Sequence, residues 1–443
     1  TIIKIPKTIV VATDEFDHFM EKNNLWDFAL QNNTNDIILN KFLSSKIQKD
    51  LKSKLKSILG NISGPIAVRS SSLLEDSQYQ PLAGMYSTFM LPNSHKDKKE
   101  KLDQLCEAIK RVYASTFFKA PKSLMDNISH RHEEEKMAVI IMELAGIEHN
   151  NIFYPTFSGV AQSYNYYPVS YMKRNEGVVF TALGLGKTIV DGEKSLRFSP
   201  KYPDILSQYY SIKSTISNSQ NKFYALSINN GNNPIKSGES KNLKLHDLAI
   251  AEKDGSLKHL ASVVSNEDNI LRDSLKYNGC RVITFSGVLK YERFPLTDII
   301  KYLMKIGEKA LGCPVEIEFA VNLNDNEIDE FSLLQIKPMV IGGRGQNISI
   351  SKYQNDNLLF CYSNQVLGNG EIDNIQYIMY VDPLSFERDA TQKIADEINN
   401  LNKSLGKNKP YLLMGPGRWG TADPWLGIPV NWDSITNAKS IIE

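Results

Sequence analysis

The chain has 443 residues, and its 51 Lys and Arg nearly cancel its 50 Asp and Glu, leaving a formal charge of +1. That balance excludes a molecule-wide polyanion-binding surface, so nucleic acid is not an expected partner. No apolar run reaches membrane-spanning length and no signal peptide is legible, so a membrane is not expected either. The length suffices for two or three domains, and a hydrophobic content of 42% is that of an ordinary globular protein. Four cysteines (Cys106, Cys280, Cys313 and Cys361) match no zinc or CxxC spacing. Buried or idle thiols in a reducing cytoplasm are expected. The chain starts at Thr1 and stops at Ile441-Ile442-Glu443 in mid-pattern, which predicts a piece of something longer.

Lys4-Ile5-Pro6 leads into a β-rich run, Thr8 to Thr13. Thr13 is expected to cap a helix starting near Asp14-Glu15, with Phe16, Phe19 and Met20 inward. Residues 39–59 read as one amphipathic helix. Gly64 to Ser72 reads as a buried strand running into a polar loop. Arg69 followed by hydroxyls at a strand end suits phosphate, because guanidinium gives forked, charge-assisted bonds. On this pattern alone a structural Arg69 is about as frequent. A loop with Pro81-Leu82-Ala83-Gly84 precedes a strand over 85–91, and 102–118 reads as a helix with Leu105, Ile109, Val112 and Phe117 inward. His130 and His132 flank Arg131. At i and i+2 they fall on different helix faces, so no metal pair is expected. Met137 to Leu144 is a continuous apolar strand.

Phe157 to Ala161 reads as a further strand. Gly184-Leu185-Gly186-Lys187-Thr188 is not a P-loop, because Ala182 stands where the first glycine should be. Residues 205–290 alternate short strands with polar turns and predict an elaborated region without a site. Pro295 to Leu311 reads as a helix with Ile299, Leu303, Ile306 and Ala310 inward, closed by Gly312. In the strand from Pro314 to Val321, Glu316 and Glu318 share one face while Val315, Ile317 and Phe319 point into a core. Two neighbouring carboxylates repel unless a cation or proton sits between them. A hairpin with Phe331 to Pro338 brings Gln335 beside them and Lys337 beyond. Two acids, an amide oxygen and a cation at one sheet end suit a Mg²⁺-nucleotide site. An edge hairpin with solvated acids fits the spacing equally well. Gly342 to Gln346 reads as a linker. Beyond it a strand (377–381), a helix (390–405, with Ile394, Ile398 and Leu401 inward) and a strand (411–414) predict a small α/β domain. In the loop Gly415 to Gly420, Trp419 is read first as a packing anchor, and second as part of an anion- or partner-binding turn.

Taken together, these segments resemble the nucleotide-binding domain of the pyruvate phosphate dikinase and phosphoenolpyruvate synthase family. The matching runs are Ala67-Val68-Arg69-Ser70-Ser71 with Glu75-Asp76 and Ala83-Gly84, Ser158-Gly159-Val160, and Gly184-Leu185-Gly186. The last is Glu316-Ile317-Glu318 with Leu334-Gln335-Ile336-Lys337-Pro338, where the family has Arg at Lys337. The resemblance covers roughly residues 4–345. It implies an α+β fold of the divergent ATP-grasp type. The first lobe would be 1–145 and the second 146–345, elaborated at about 205–290, with nucleotide in the cleft between them. Residues 346–443 would form a small domain of unknown role.

The resemblance also implies ATP and Mg²⁺ as cofactors. Glu318 and Gln335 would hold the metal with Glu316 in support, and Arg69 and Lys337 would serve the phosphates as the catalytic pair. Ser70 and Gly84 would lie in the phosphate loop, Gly84 in its mobile part. Glu143 and Leu144 would form the adenine hinge, where Met142 replaces the usual Gln and leaves the contact to backbone. Lys187 stands where the family usually has an acid and would add charge near the phosphates or face solvent. A phosphate-binding Arg expected soon after Ala114-Ser115 is missing, with Lys122 or Arg131 as substitutes. None of the seven histidines lies in the family's phosphohistidine motif, and the pyruvate-binding barrel and the Gly-Gly-Lys loop are not in the sequence. The implied function is a cytoplasmic Mg²⁺-ATP-binding phosphotransfer domain whose acceptor is unknown. A phosphohistidine domain of the longer protein is one such acceptor, so the chain alone should not make phosphoenolpyruvate from pyruvate. A nucleotide-sensing module without turnover and an inactive scaffold are the alternatives.

Overall fold

The computed structural model describes residues 1–32, 34–72, 75, 86–127, 134–169, 171–228, 242–325, 327–339, 361, 363, 372–406, 409–421, 426–431 and 434–443. The fold is α+β, with helices and several sheets. The chain divides into two compact units, one comprising Thr1–Ser72 and Tyr86–Lys337, the other holding Pro338–Glu443. Among the described residues no helix is long and apolar enough to cross a membrane.

The first unit contains a four-stranded antiparallel sheet in the order Thr8–Val11, Met137–Glu143, Ile66–Ser72, Thr88–Leu91. Phe16, Phe19 and Met20 of the helix Thr13–Lys22 are fully buried, as their spacing predicts. Phe16 meets Trp26, Tyr113 and Phe117 ring to ring. Thr13 is the first helical residue and not the cap. Ala12 precedes it without a side-chain bond, and Asp14 and Glu15 place negative charge in the first turn, where the helix dipole favours it. Residues 39–59 do not form one helix but parts of two, Asn35–Ser44 and Lys49–Leu59. Asn23 holds the break open: its side chain donates to Lys46 O at 3.1 Å and accepts from Lys46 N at 3.0 Å.

The same unit contains a six-stranded sheet in the order Ile2–Lys4, Glu330–Pro338, Val315–Asn322, Phe157–Gln162, Val178–Leu183, Leu196–Phe198. The helix Leu296–Leu311 packs on the Val315–Asn322 strand and ends at Gly312, whose φ of +69° favours glycine. Its buried face is Leu296, Ile299, Ile300, Met304 and Gly307. The expected Ile306 and Ala310 are exposed. Gly307 sits at the contact: a Cβ there would stand 2.5 Å from Ile336 Cδ1 and 3.1 Å from Val315 Cγ2, so glycine lets helix and sheet approach without moving either side chain. Phe319 stacks on Phe331 in the same core at 5.1 Å. Phe223, Ala225, Leu257, Ile283 and Phe285, all from the elaborated stretch, belong to that core as well.

The strand Glu330–Pro338 is irregular, and the irregularity positions the site. Phe331 and Leu333 pack on the core side, and Ile336 reaches that side too. Residues three apart cannot share a face of an unbroken strand, so the alternation slips by one between Leu333 and Ile336, as in a β-bulge. The slip places Gln335 and Lys337 on the same face as Glu316 and Glu318.

The second unit has three parallel strands in the order Tyr377–Tyr380, Tyr411–Met414, Ala438–Ile442, with the helix Thr391–Leu405 joining the first two. Trp419 is buried in its core and donates from Nε1 to Ile442 O at 3.4 Å, so it is the anchor expected. Leu401 faces out, not in; the buried position beside it is Asn402, which accepts from the Tyr411 hydroxyl at 3.0 Å. Parallel crossover connections usually cover such a sheet with apolar helix faces. Here an amide replaces a leucine because Tyr411 presents a hydroxyl that must be satisfied.

Candidate functional site

Four charged groups and two amides meet on the outer face of the six-stranded sheet. Glu316 and Glu318 project from the strand Val315–Asn322, whose other residues Val315, Ile317 and Phe319 are buried. Arg69 comes from the four-stranded sheet, where it lies opposite Ile140 and Thr88. Its guanidinium donates to Glu318 Oε2 at 3.3 Å and to Gln335 Oε1 at 2.7 Å. Lys337 Nζ lies 3.0 Å from Glu316 Oε1, and Gln162 Nε2 donates to Glu316 Oε2 at 2.6 Å. The side chains of Arg69, Glu318, Lys337 and Glu316 are 19–24% exposed, so these ion pairs are only partly screened.

The two carboxylates of the Glu-x-Glu strand thus take different cations, which answers the repulsion the sequence predicts. Glu318 Oε2 and Gln335 Oε1 are aimed at one positive group, the guanidinium. Two convergent oxygen acceptors, one anionic and one neutral, are the donor type that Mg²⁺ takes. The residues present therefore fit the metal that the resemblance implies. Among the described residues no group of three or more His, Cys, Asp or Glu forms a metal cluster, so any such site must draw on amide or phosphate oxygens too.

Two neighbours were not foreseen. Gln162 sits opposite Glu316 in the ladder and fixes its second oxygen. Its place at the end of the strand after Ser158-Gly159-Val160 was the available signal. Tyr166 lies near Glu316. Burial first, and then Tyr164 and Glu316, push its phenol up to about 12. Tyr164 meets it edge to face at 5.2 Å.

The remaining candidates distribute differently. Ser70 is buried, because the strand continues to Ser72 where a loop was expected, and alternation turns Ser70 to the face opposite Arg69. Ser71 shares the Arg69 face instead. At the hinge candidates, Glu143 N donates to Lys7 O and Leu144 N to Pro65 O, both at 2.9 Å. Pro65 has no N–H with which to return the bond, so the Leu144 carbonyl lacks its ladder partner. Lys187 opens the short helix Lys187–Val190, pairs with Asp191 at 3.1 Å and lies over the Tyr224 ring at 5.8 Å. No contact among the described residues joins it to the Arg69 cluster. Lys122 is not a replacement for the missing phosphate-binding Arg. It is buried, and its ammonium takes the carbonyls of Ala29, Leu30 and Asn32 at the end of the helix Trp26–Gln31. Such carbonyls lack intrahelical donors and attract a cation. Gly84 and Arg131 lie outside the described residues.

The chain is similar in sequence to known proteins. The chain is 22% identical over 369 residues to the probable phosphoenolpyruvate synthase of Methanocaldococcus jannaschii, covering 78% of this chain and 25% of that protein. It is 26% identical over 190 residues to the uncharacterized phosphotransferase YvkC of Bacillus subtilis, covering 43% of this chain and 20% of that one. The chain therefore spans about a fifth to a quarter of the length of these curated relatives. The model of one family, described as the AMP/ATP-binding domain of pyruvate phosphate dikinase, matches residues 1–357, including every residue of the Arg69 cluster. By that match across most of its length, the chain belongs to the pyruvate phosphate dikinase AMP/ATP-binding domain family.

Proposed function

We propose that the chain binds Mg²⁺-ATP in a two-lobed cleft of the ATP-grasp type and serves phosphoryl transfer. The lobes are 1–145 and 146–345, and residues 346–443 form a separate small domain. The observation that carries the reading is the convergence of Glu318 and Gln335 on Arg69, with Lys337 and Glu316 beside them. Phosphoryl transfer needs little covalent help from protein. It needs positioned positive charge around the phosphates.

The roles follow from the chemistry of each group. Arg69 offers a forked donor to phosphate oxygens, and Lys337 a point charge. Glu318 and Gln335 would hold Mg²⁺ and Glu316 would orient Lys337. When bound, the ion neutralises phosphate charge and bridges phosphate oxygens. The Leu144 carbonyl is an acceptor for the amino group of adenine. The relative from Methanocaldococcus jannaschii, a probable phosphoenolpyruvate synthase, supports a phosphotransfer setting in which a longer protein supplies the acceptor.

Isothermal titration of the chain with ATP, with and without Mg²⁺, tests the reading. Saturable 1:1 binding that strengthens with Mg²⁺ is expected. No heat of binding under either condition, with the chain folded by circular dichroism, would refute it.

A further inference from the structure

The candidate metal ligands are held by a side chain that also serves the phosphates. Both hydrogen bonds of the Arg69 guanidinium go to the atoms assigned to the metal, Glu318 Oε2 and Gln335 Oε1. A guanidinium and a divalent cation cannot use the same lone pairs at once. Building on the Mg²⁺-ATP reading, we propose that Arg69 is a competitive placeholder for the divalent cation, yielding Glu318 and Gln335 only when a polyphosphate takes the guanidinium.

Charge and solvation both favour this order of events. Arg69, Lys337, Glu316 and Glu318 are two cations and two anions that already neutralise one another. A bare Mg²⁺ would add two positive charges to this partly buried group and would have to displace the guanidinium from both of its acceptors. Mg²⁺ also gives up its water reluctantly. A nucleotide polyphosphate changes the balance. It offers Arg69 a forked anionic partner and brings the negative charge that a divalent cation needs. Nucleotide and cation should then bind with strong positive coupling, and by linkage each raises the affinity of the other by the same factor. Lys337, on Glu316, leaves Glu318 and Gln335 to Arg69 alone, so the coupling should reside in that one side chain.

The test is Mn²⁺ binding without nucleotide, read by electron paramagnetic resonance, for the parent chain and for Arg69→Met, Arg69→Lys and Arg69→Met/Glu318→Gln. Methionine fills much of the arginine volume without its charge. Arg69→Met should bind Mn²⁺ at least about tenfold more tightly than the parent, equivalent to about 1.4 kcal/mol. Arg69→Lys, which keeps the charge but not the planar fork, should lie between them. Adding Glu318→Gln should abolish the gain. A folded Arg69→Met that binds Mn²⁺ no more tightly than the parent overturns the proposal. If that variant does not fold, Arg69→Lys decides, and parent-like Mn²⁺ affinity in it overturns the proposal as well. The underlying reading fails by a different measurement: equal Mg²⁺-ATP affinity of the parent and Glu318→Gln would remove the metal from this site altogether.

Discussion

Glu318→Gln should weaken Mg²⁺-ATP binding by about a hundredfold, or about 2.7 kcal/mol, while changing folding stability by less than about 1 kcal/mol. The asymmetry follows from what Glu318 touches. Its neighbours along the strand are in the core, but its own carboxylate meets only Arg69 among the contacts described. Glutamine keeps the shape and still offers an oxygen to the guanidinium, so the native fold loses one charge-assisted bond in a half-screened setting. Under the proposed reading a divalent cation would lose far more, because the carboxylate assigned to hold it becomes neutral. Calorimetry at saturating Mg²⁺ reads the affinity and urea unfolding reads the stability. Parent-like affinity, or a loss of binding matched by an equal loss of stability, would contradict the assignment. Lys337→Met should behave differently, weakening ATP with and without Mg²⁺ to a similar extent, since under the proposed reading its charge acts on phosphate.

Gly159→Ala should destabilise the first unit by about 3 kcal/mol, the upper end of what overpacking costs. A methyl group at Gly159 would stand 2.2 Å from Cζ of Phe319 and 2.8 Å from the carbonyl of Phe180. The carbonyl belongs to the paired strand and cannot retreat without breaking the ladder. The ring cannot retreat far either, because it is stacked on Phe331. Phe319→Val alone should also destabilise, by leaving a cavity. The double variant should recover much of the loss, since the smaller side chain makes room for the methyl group. Urea denaturation of the four proteins gives the coupling. Strict additivity would mean that Gly159 is required for some reason other than the Phe319 ring. Because Phe319 is next to Glu318, Gly159→Ala should also lower ATP affinity.

The local chemistry of the site was legible where it rests on strand alternation. Glu316 and Glu318 share a face because Val315, Ile317 and Phe319 are drawn into one core. Arg69 stands out because hydroxyls follow it at a strand end, a pattern that suits phosphate, although the pattern alone fits a structural arginine as well. Trp419 reads first as an anchor because turns so readily use Gly and Pro. What failed rests on contacts between distant parts of the chain. The helix Leu296–Leu311 turns toward the sheet at Gly307, and no periodicity within the helix records where Val315 and Ile336 will be. The break after Ser44 is held by Asn23, two elements earlier. Lys122 reads as a substitute for the missing phosphate-binding Arg until the carbonyls of the helix Trp26–Gln31 are placed around it. The slip between Leu333 and Ile336 was equally hidden, and simple alternation would have put Gln335 on the same side as Phe331.

Pro65 has a further consequence. A proline opposite Leu144 removes one rung from the sheet ladder, and the carbonyl left without that rung is a backbone acceptor that a substitution at Leu144 itself does not remove. Under the nucleotide reading that acceptor discriminates between purines. The 6-amino group of adenine satisfies it, whereas the 6-oxo group of guanine would set one lone pair against another. Base selectivity would then be written in a residue that never touches the base. Its signature would be a preference for ATP over GTP in competition binding, and equal affinities for the two would show that the carbonyl is not used.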